Sequence, residues 1–168
     1  QWDWEKVITP EQRTEAYLHA TVEKIADAIY RTAITLRSVF PALAARPMLH
    51  REVTYITTQE LEDLYPDKTP KERENAFLKE PPTVFLMQIG GPLRSGKPHD
   101  GRAPDYDDWS LNGDLLFWND TLSQAFEISS MGIRVSPESL DRQLTMAGCD
   151  ERRALPFHQM LLAGKLPY

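Results

Sequence analysis

Thr83 to Ile89 is an almost unbroken apolar run, closed in front by Pro81-Pro82 and behind by Gly90-Gly91-Pro92. A strand without polar alternation has no face to turn to water, so the run predicts a central strand covered on both sides. The helical patterns around it must supply the covers. The first follows Thr9-Pro10-Glu11-Gln12, where Thr9 can cap, Pro10 suits the first helical position and Gln12 can reach back. Tyr17, Val22, Ile25, Ala28, Ile29, Ala33, Leu36 and Phe40 then recur mostly three or four residues apart, which predicts one long helix with a buried stripe, ended by Pro41.

Val53 to Ile56 is short and β-branched and reads as a strand. Thr57 with Glu60, and Thr69-Pro70 with Glu72, announce two helices, separated by a break at Tyr65-Pro66-Asp67. Leu93 to Ser110 has no hydrophobic period and reads as a long surface loop, a kind of segment that is often functional. Leu115 to Trp118 and Ala125 to Val135 read as two strands of an antiparallel hairpin around Asn119-Asp120. Ser136-Pro137-Glu138 opens a helix that closes near Gly148, and a last helix spans Leu155 to Ala163 with Gly164 as its cap. The alternation Gln1-Trp2-Asp3-Trp4-Glu5 reads as a strand, and because strands rarely begin at a first residue, upstream sequence is expected. The order of elements does not alternate regularly enough for a doubly wound fold. It predicts an α+β domain over residues 1–168, with a mainly antiparallel sheet flanked by helices.

Composition removes several function classes. No apolar run approaches the roughly 20 residues that span a bilayer, and no basic, apolar leader is present, so a soluble cytoplasmic protein without a membrane partner is expected. A net charge of −6 with a pI near 5.2 argues against a surface built for nucleic-acid phosphates. The single cysteine, Cys149, excludes an internal disulfide and reads as a bystander thiol.

Acidic side chains gather from Asp100 to Glu127: Asp100, Asp105, Asp107, Asp108, Asp114, Asp120 and Glu127. Composition alone allows a solvated acidic loop. Their position beside strands also suits a magnesium-nucleotide site, because Mg²⁺ takes one or two carboxylates together with substrate phosphates. Pairing across the hairpin would bring Asp114 and Glu127 together. Arg134 follows Glu127 by an odd number of residues, so an ideal strand would point them to opposite faces. A bulge in Ser129-Ser130-Met131-Gly132 would remove that conflict and aim Arg134 at a carboxylate, the alternative being a surface salt bridge. His19, His50, His99 and His158 lack metal-ligand spacing, with His99 a loop candidate only, and Gly90-Gly91 reads as a strand stop rather than a phosphate cradle. Trp2, Trp4, Trp109 and Trp118 read as core residues.

Three stretches carry a resemblance: Gln1-Trp2-Asp3-Trp4-Glu5, Arg102-Ala103-Pro104-Asp105-Tyr106-Asp107-Asp108-Trp109, and Leu111-Asn112-Gly113-Asp114 running on to Phe126-Glu127-Ile128-Ser129-Ser130-Met131-Gly132-Ile133-Arg134-Val135. In this order they resemble the ammonia-dependent asparagine synthetase A family, aspartate-ammonia ligases, which is similar to the catalytic core of class II aminoacyl-tRNA synthetases. The resemblance implies a class II-like sheet in a homodimer, with L-aspartate, ATP and ammonia as substrates and Mg²⁺ as cofactor. It implies that Asp114 and Glu127 hold Mg²⁺ and the ATP phosphates. Arg134 would bind the α-carboxylate of aspartate, Gln1 would position the β-carboxylate, and Asp3 and Ser130, with Ser129 beside it, would orient the α-amino end. Asp107, with Asp105 and Asp108 as alternates, would lie at the nucleotide and bind ammonium and accept its proton, with the loop ending at Trp109 as a lid.

The pattern departs from the family in lacking its upstream half and the Gly-rich motif expected after Tyr168, so this chain alone is expected to be inactive. Several family residues are also missing between Ser110 and Leu111. A tRNA-charging core and a non-catalytic paralogue are the rival readings.

Overall fold

A computed structural model describes residues 4–166. Its elements in chain order are α1 (Glu15–Val39), β1 (Thr54–Thr57), α2 (Thr58–Leu64), α3 (Pro70–Phe77), β2 (Thr83–Met87), β3 (Asp107–Asn119), β4 (Gln124–Arg134), α4 (Pro137–Met146) and α5 (Pro156–Leu162), with 3₁₀ turns at Pro10–Gln12, Pro41–Ala45 and Asp150–Ala154. The strands form one four-stranded sheet in the order β1-β2-β3-β4. This is the expected α+β class, but the sheet is mixed rather than mainly antiparallel. β1 joins β2 in parallel, because α2 and α3 carry the chain back between them, and the other two pairings are antiparallel.

The apolar run lies where its pattern requires. Every residue of β2 is buried, and the strand sits inside the sheet with a layer on each face. On one face Phe85, Met87, Leu115, Phe117 and Ile133 meet Leu18, Val22 and Ala26 of α1. On the other Val84, Leu86, Leu116 and Ala125 meet Leu61 and Leu78. Fully buried side chains such as Phe85 and Leu115 contribute on the order of 1.5–3 kcal/mol each through lost apolar hydration. A third cluster of Val135, Leu140, Leu144 and Leu161 fastens α4 and α5 to the end of β4.

The helix starts are local chemistry. Thr57 Oγ1 accepts from the Glu60 amide at 3.1 Å while Glu60 Oε2 accepts from the Thr57 amide at 2.8 Å, and Thr69 with Glu72 repeats the exchange. Thr9 opens only the Pro10–Gln12 turn; α1 starts later, capped by Thr14, whose hydroxyl accepts from the Tyr17 amide. Leu18, Val22 and Ala26 are its buried residues, whereas Ala28, Leu36 and Phe40 of the expected stripe are exposed. Gly148 and Gly164, at φ +65° and +67°, follow α4 and α5 as expected.

The largest departure is at β3. The expected loop ends at Tyr106, and the strand begins at Asp107 instead of Leu115. Asp108–Leu111 bulge out between the pairs Asp107↔Arg134 and Asn112↔Gly132, so the Ser110-Leu111 junction lies inside a strand. Trp109, where the expected loop ends, lies in β3 with its indole against Gly90, where an added Cβ would come within 2.5 Å of the ring.

Gly113 is equally constrained, since an added Cβ would stand 2.5 Å from the Leu86 carbonyl oxygen and 2.7 Å from the Phe85 ring. Gly113→Ala is expected to cost about 2 kcal/mol or more by overpacking, read as a lower urea midpoint. Gly101→Ala, where a Cβ meets nothing within 4 Å, is expected to leave the unfolding free energy within about 0.5 kcal/mol of the wild type and the midpoint nearly unmoved. Equal midpoints for the two variants would contradict this packing account.

Candidate active site

The site is built on the β3–β4 hairpin and the segment that leads into it. Leu115 pairs with Ser129 but Leu116 pairs with Glu127, so Ile128 is an extra residue on β4. This bulge shifts the phase of the strand by one and turns Glu127 and Arg134 towards one face. The sequence called for a bulge, but placed it in Ser129–Gly132; the structure has it one residue earlier. Glu127, Ser129, Ser130 and Arg134 all line one cavity of ≈ 820 Å³, within the range that accommodates nucleotide-sized ligands.

Asp114 lies opposite Ser130 in the register, buried at 6% exposure. Its Oδ2 accepts from Arg102 Nη2 at 2.5 Å, while its Oδ1 is buried with no hydrogen-bond partner. Burial first, and then the Asp114 charge, push the Glu127 carboxyl above its ordinary pKa, against the opposing pull of Arg102 and Lys71. The two carboxylates therefore share a field, as the hairpin argument expected.

The Asp105-Tyr106-Asp107-Asp108 segment sorts its carboxylates by partner. Asp108 receives Arg13 at 2.6 Å and both the amide and hydroxyl of Ser110. Asp105 is tied to Arg152 at 3.0 Å and His158 at 3.2 Å. Asp107 alone faces Arg134, at 2.6 Å, and its carboxyl nests over Gly132, where an added Cβ would stand 2.8 Å from Asp107 Cγ. Gln143, 1% exposed, donates to the carbonyls of Pro104 and Asp107 and accepts from the Trp109 amide, fixing the backbone of the whole segment. Burial pushes the Asp107 carboxyl up, Arg134 pulls it down and Glu5 adds to the rise. Arg134 is also ion-paired to Glu5, and its guanidinium carbon stands 3.2 Å from the Tyr106 ring centroid.

Residues 1–168 match the family model described as aspartate-ammonia ligase. Curated relatives named aspartate–ammonia ligase align with the whole of this chain: 57% identical in Clostridium tetani, 59% in Lactobacillus johnsonii and 53% in Fusobacterium nucleatum, over 49%, 50% and 51% of the relative respectively. The chain belongs to the aspartate–ammonia ligase family. It spans about half the length of the curated relatives it matches.

Of the residues that the family resemblance singled out, Asp107, Glu127, Ser129, Ser130 and Arg134 line this cavity, Asp114 is not in the lining but pairs with Ser130 on the neighbouring strand, and Gln1 and Asp3 lie outside the described residues. His99 is buried against Glu74 at 3.0 Å, not presented to the cavity. The sequence reading gave no role to Arg102, Glu5 or Tyr106. The only signal for Arg102 was a cation standing alone among aspartates. Among the described residues no three acidic, histidine or cysteine side chains form a cage for a metal ion. Mg²⁺ needs no such cage, and the partnerless Asp114 Oδ1 beside Glu127 provides the hard oxygen donors it takes.

The carboxylates of this aspartate–ammonia ligase chain divide by the sign of their contribution to stability. Glu127 has a raised pKa, so the folded state holds its proton more tightly than the unfolded chain. Its ionised form is destabilising above the ordinary carboxylate range, and that cost disappears as pH falls through the folded value. Burial opposes ionisation of Asp108 too, but the bonds from Arg13 and Ser110 outweigh it and hold the carboxyl low. Its stabilisation is present above the unfolded value and lost as pH falls through the folded one. Glu127→Gln is therefore expected to raise the urea midpoint at pH 7, with the gain closing in acid. Asp108→Asn is expected to cost about 2–3 kcal/mol at pH 7, shrinking on acidification. Destabilisation by both substitutions at pH 7 would contradict this division.

Proposed function

We propose that this chain supplies part of the catalytic centre of an enzyme that ligates ammonia to L-aspartate, consuming ATP and releasing L-asparagine, AMP and pyrophosphate through a β-aspartyl-AMP intermediate. The observation that carries the reading is the Ile128 bulge, which puts Glu127 and Arg134 on the sheet face that carries Asp114 while both line one cavity. A non-catalytic scaffold has no use for a buried carboxylate oxygen without a partner.

In this reading Asp114 and Glu127 would hold Mg²⁺, which offsets the charge that grows as pyrophosphate leaves. Arg134 exchanges Glu5 and Asp107 for the α-carboxylate of aspartate, to which its planar guanidinium can bond through two parallel N–H groups. Ser129 and Ser130 sit beside it at the cavity wall, with Gln1 and Asp3 assigned to the β-carboxylate and the amino end. Asp107, released from Arg134 and kept in a desolvated position, accepts the proton that ammonium must lose before the amine can attack. The apolar rim from Trp4, Ile8 and Ile133 limits water at an acyl-adenylate that would otherwise hydrolyse. We assign the same reading its wider setting: a class II synthetase-like sheet, a single catalytic domain over this chain, a homodimer and the cytoplasm. Among the described residues no helix is long and apolar enough to cross a membrane.

An AMP-release assay on the full-length protein with aspartate, ATP and Mg²⁺ tests this function. Ammonia is expected to support turnover and glutamine to fail as a donor. Asp114→Asn is expected to lower kcat about 10²-fold or more, and Arg134→Lys to raise KM for aspartate about tenfold or more with a smaller effect on ATP. Turnover by Asp114→Asn near the wild-type rate, or turnover with glutamine only, would reject the reading.

A further inference from the structure

Arg102 stands inside the acidic cluster and touches it on two sides. Nη2 donates to Asp114 Oδ2 at 2.5 Å and Nη1 donates to Asp100 Oδ2 at 3.1 Å, while the charge of Arg102 is felt at both Asp107 and Glu127. The two members of the Arg102–Asp114 pair are not equally fixed. Asp114 sits in β3 between Leu86 of β2 and Ser130 of β4, held by a ladder on each side. Arg102 sits in a stretch without regular structure, next to Gly101, around which an added Cβ would meet nothing within 4 Å. Its other carboxylate tether, Asp100, is exposed, with 65% of its side chain accessible.

The remaining Asp114 oxygen, Oδ1, is buried and partnerless, so a cation recruited to Asp114 has its open donor beside an oxygen already bonded to a guanidinium. Two positive charges on one carboxylate, in a site only partly open to water, repel strongly unless anions come between them. The polyphosphate of a nucleotide is such an anion, and a guanidinium binds it in the same forked manner as it binds a carboxylate.

We propose that Arg102 is a built-in counter-ion for Asp114, displaced when a divalent cation binds and transferred to the phosphates that arrive with it, so that the metal enters the site only together with its nucleotide. This rests on the assignment of Asp114 as a metal ligand. In the empty site Arg102 keeps the buried carboxylate neutralised, which preserves the hairpin. On loading it changes partner without leaving the cluster.

The test is Mn²⁺ titration of the full-length protein, followed by the electron paramagnetic resonance signal of free Mn²⁺, with and without a non-hydrolysable ATP analogue. The wild type is expected to bind Mn²⁺ weakly alone and tightly with the analogue. Arg102→Gln and Arg102→Ala are expected to bind Mn²⁺ alone at least tenfold more tightly than the wild type, and the Mn²⁺-analogue pair at least tenfold more weakly. Arg102→Lys, which keeps the charge, is expected to retain the weak binding of Mn²⁺ alone. Unchanged or weaker binding of Mn²⁺ alone by both neutral variants overturns the displacement, while the metal assignment survives if Asp114→Asn loses Mn²⁺ in the presence of the analogue. Retention of wild-type Mn²⁺ affinity by Asp114→Asn removes the metal assignment itself, and the displacement with it.

Discussion

One extra residue in an edge strand decides what this hairpin presents. In a regular strand Glu127 and Arg134, an odd number of positions apart, face opposite ways, and one of them is lost to the α1 side of the sheet. Ile128 adds a residue between the pairs Leu115↔Ser129 and Leu116↔Glu127, and the two charges come to line the same cavity. β4 accommodates this because its outer side has no strand partner among the described residues, so only one ladder has to adapt. The rest of the site depends on that phase: the approach of Glu127 to the field of Asp114, the reach of Arg134 to Asp107, and the glycine at 132 that leaves room for the Asp107 carboxyl.

The second constraint is the sorting of aspartates before β3. Three carboxylates within four residues repel one another, and each is given its own cation: Arg152 for Asp105, Arg134 for Asp107, Arg13 for Asp108. The cations at Asp105 and Asp108 come from elements far along the chain, so those pairs fasten the segment to the helices around it. The cation at Asp107 stands at the cavity and can change partner. The same arithmetic applies at Asp114, where Arg102 is the exchangeable charge.

Much of this was legible from residues, and the boundary is physical. Capping at Thr57, Thr69 and Ser136 could be read because its hydrogen bonds span three positions, and β2 because continuous apolarity has one economical solution. The mixed sheet was not legible, since nothing in Thr54–Thr57 records which way it runs beside β2. Nor was the early start of β3: Asp107, Asp108 and Ser110 have the composition of a loop, and only Arg13, Arg134 and Gln143, distant in sequence, make that backbone a strand. The need for a bulge followed from parity, but its position did not, because Glu127-Ile128 carries no glycine to mark it. Arg102 was quoted within the family motif and yet given no role, because its meaning lies in the distance to Asp114.

The central claim is that Asp114, Glu127 and Arg134 serve one ligand set. A crystal structure of the full-length protein with Mg²⁺, a non-hydrolysable ATP analogue and L-aspartate tests it most directly. The cation is expected at about 2.1 Å from Asp114 Oδ1 and a Glu127 oxygen, with Arg134 paired to the α-carboxylate of aspartate and parted from Glu5. A cation bound away from both carboxylates, or aspartate seated with Arg134 still holding Glu5 and Asp107, would contradict it.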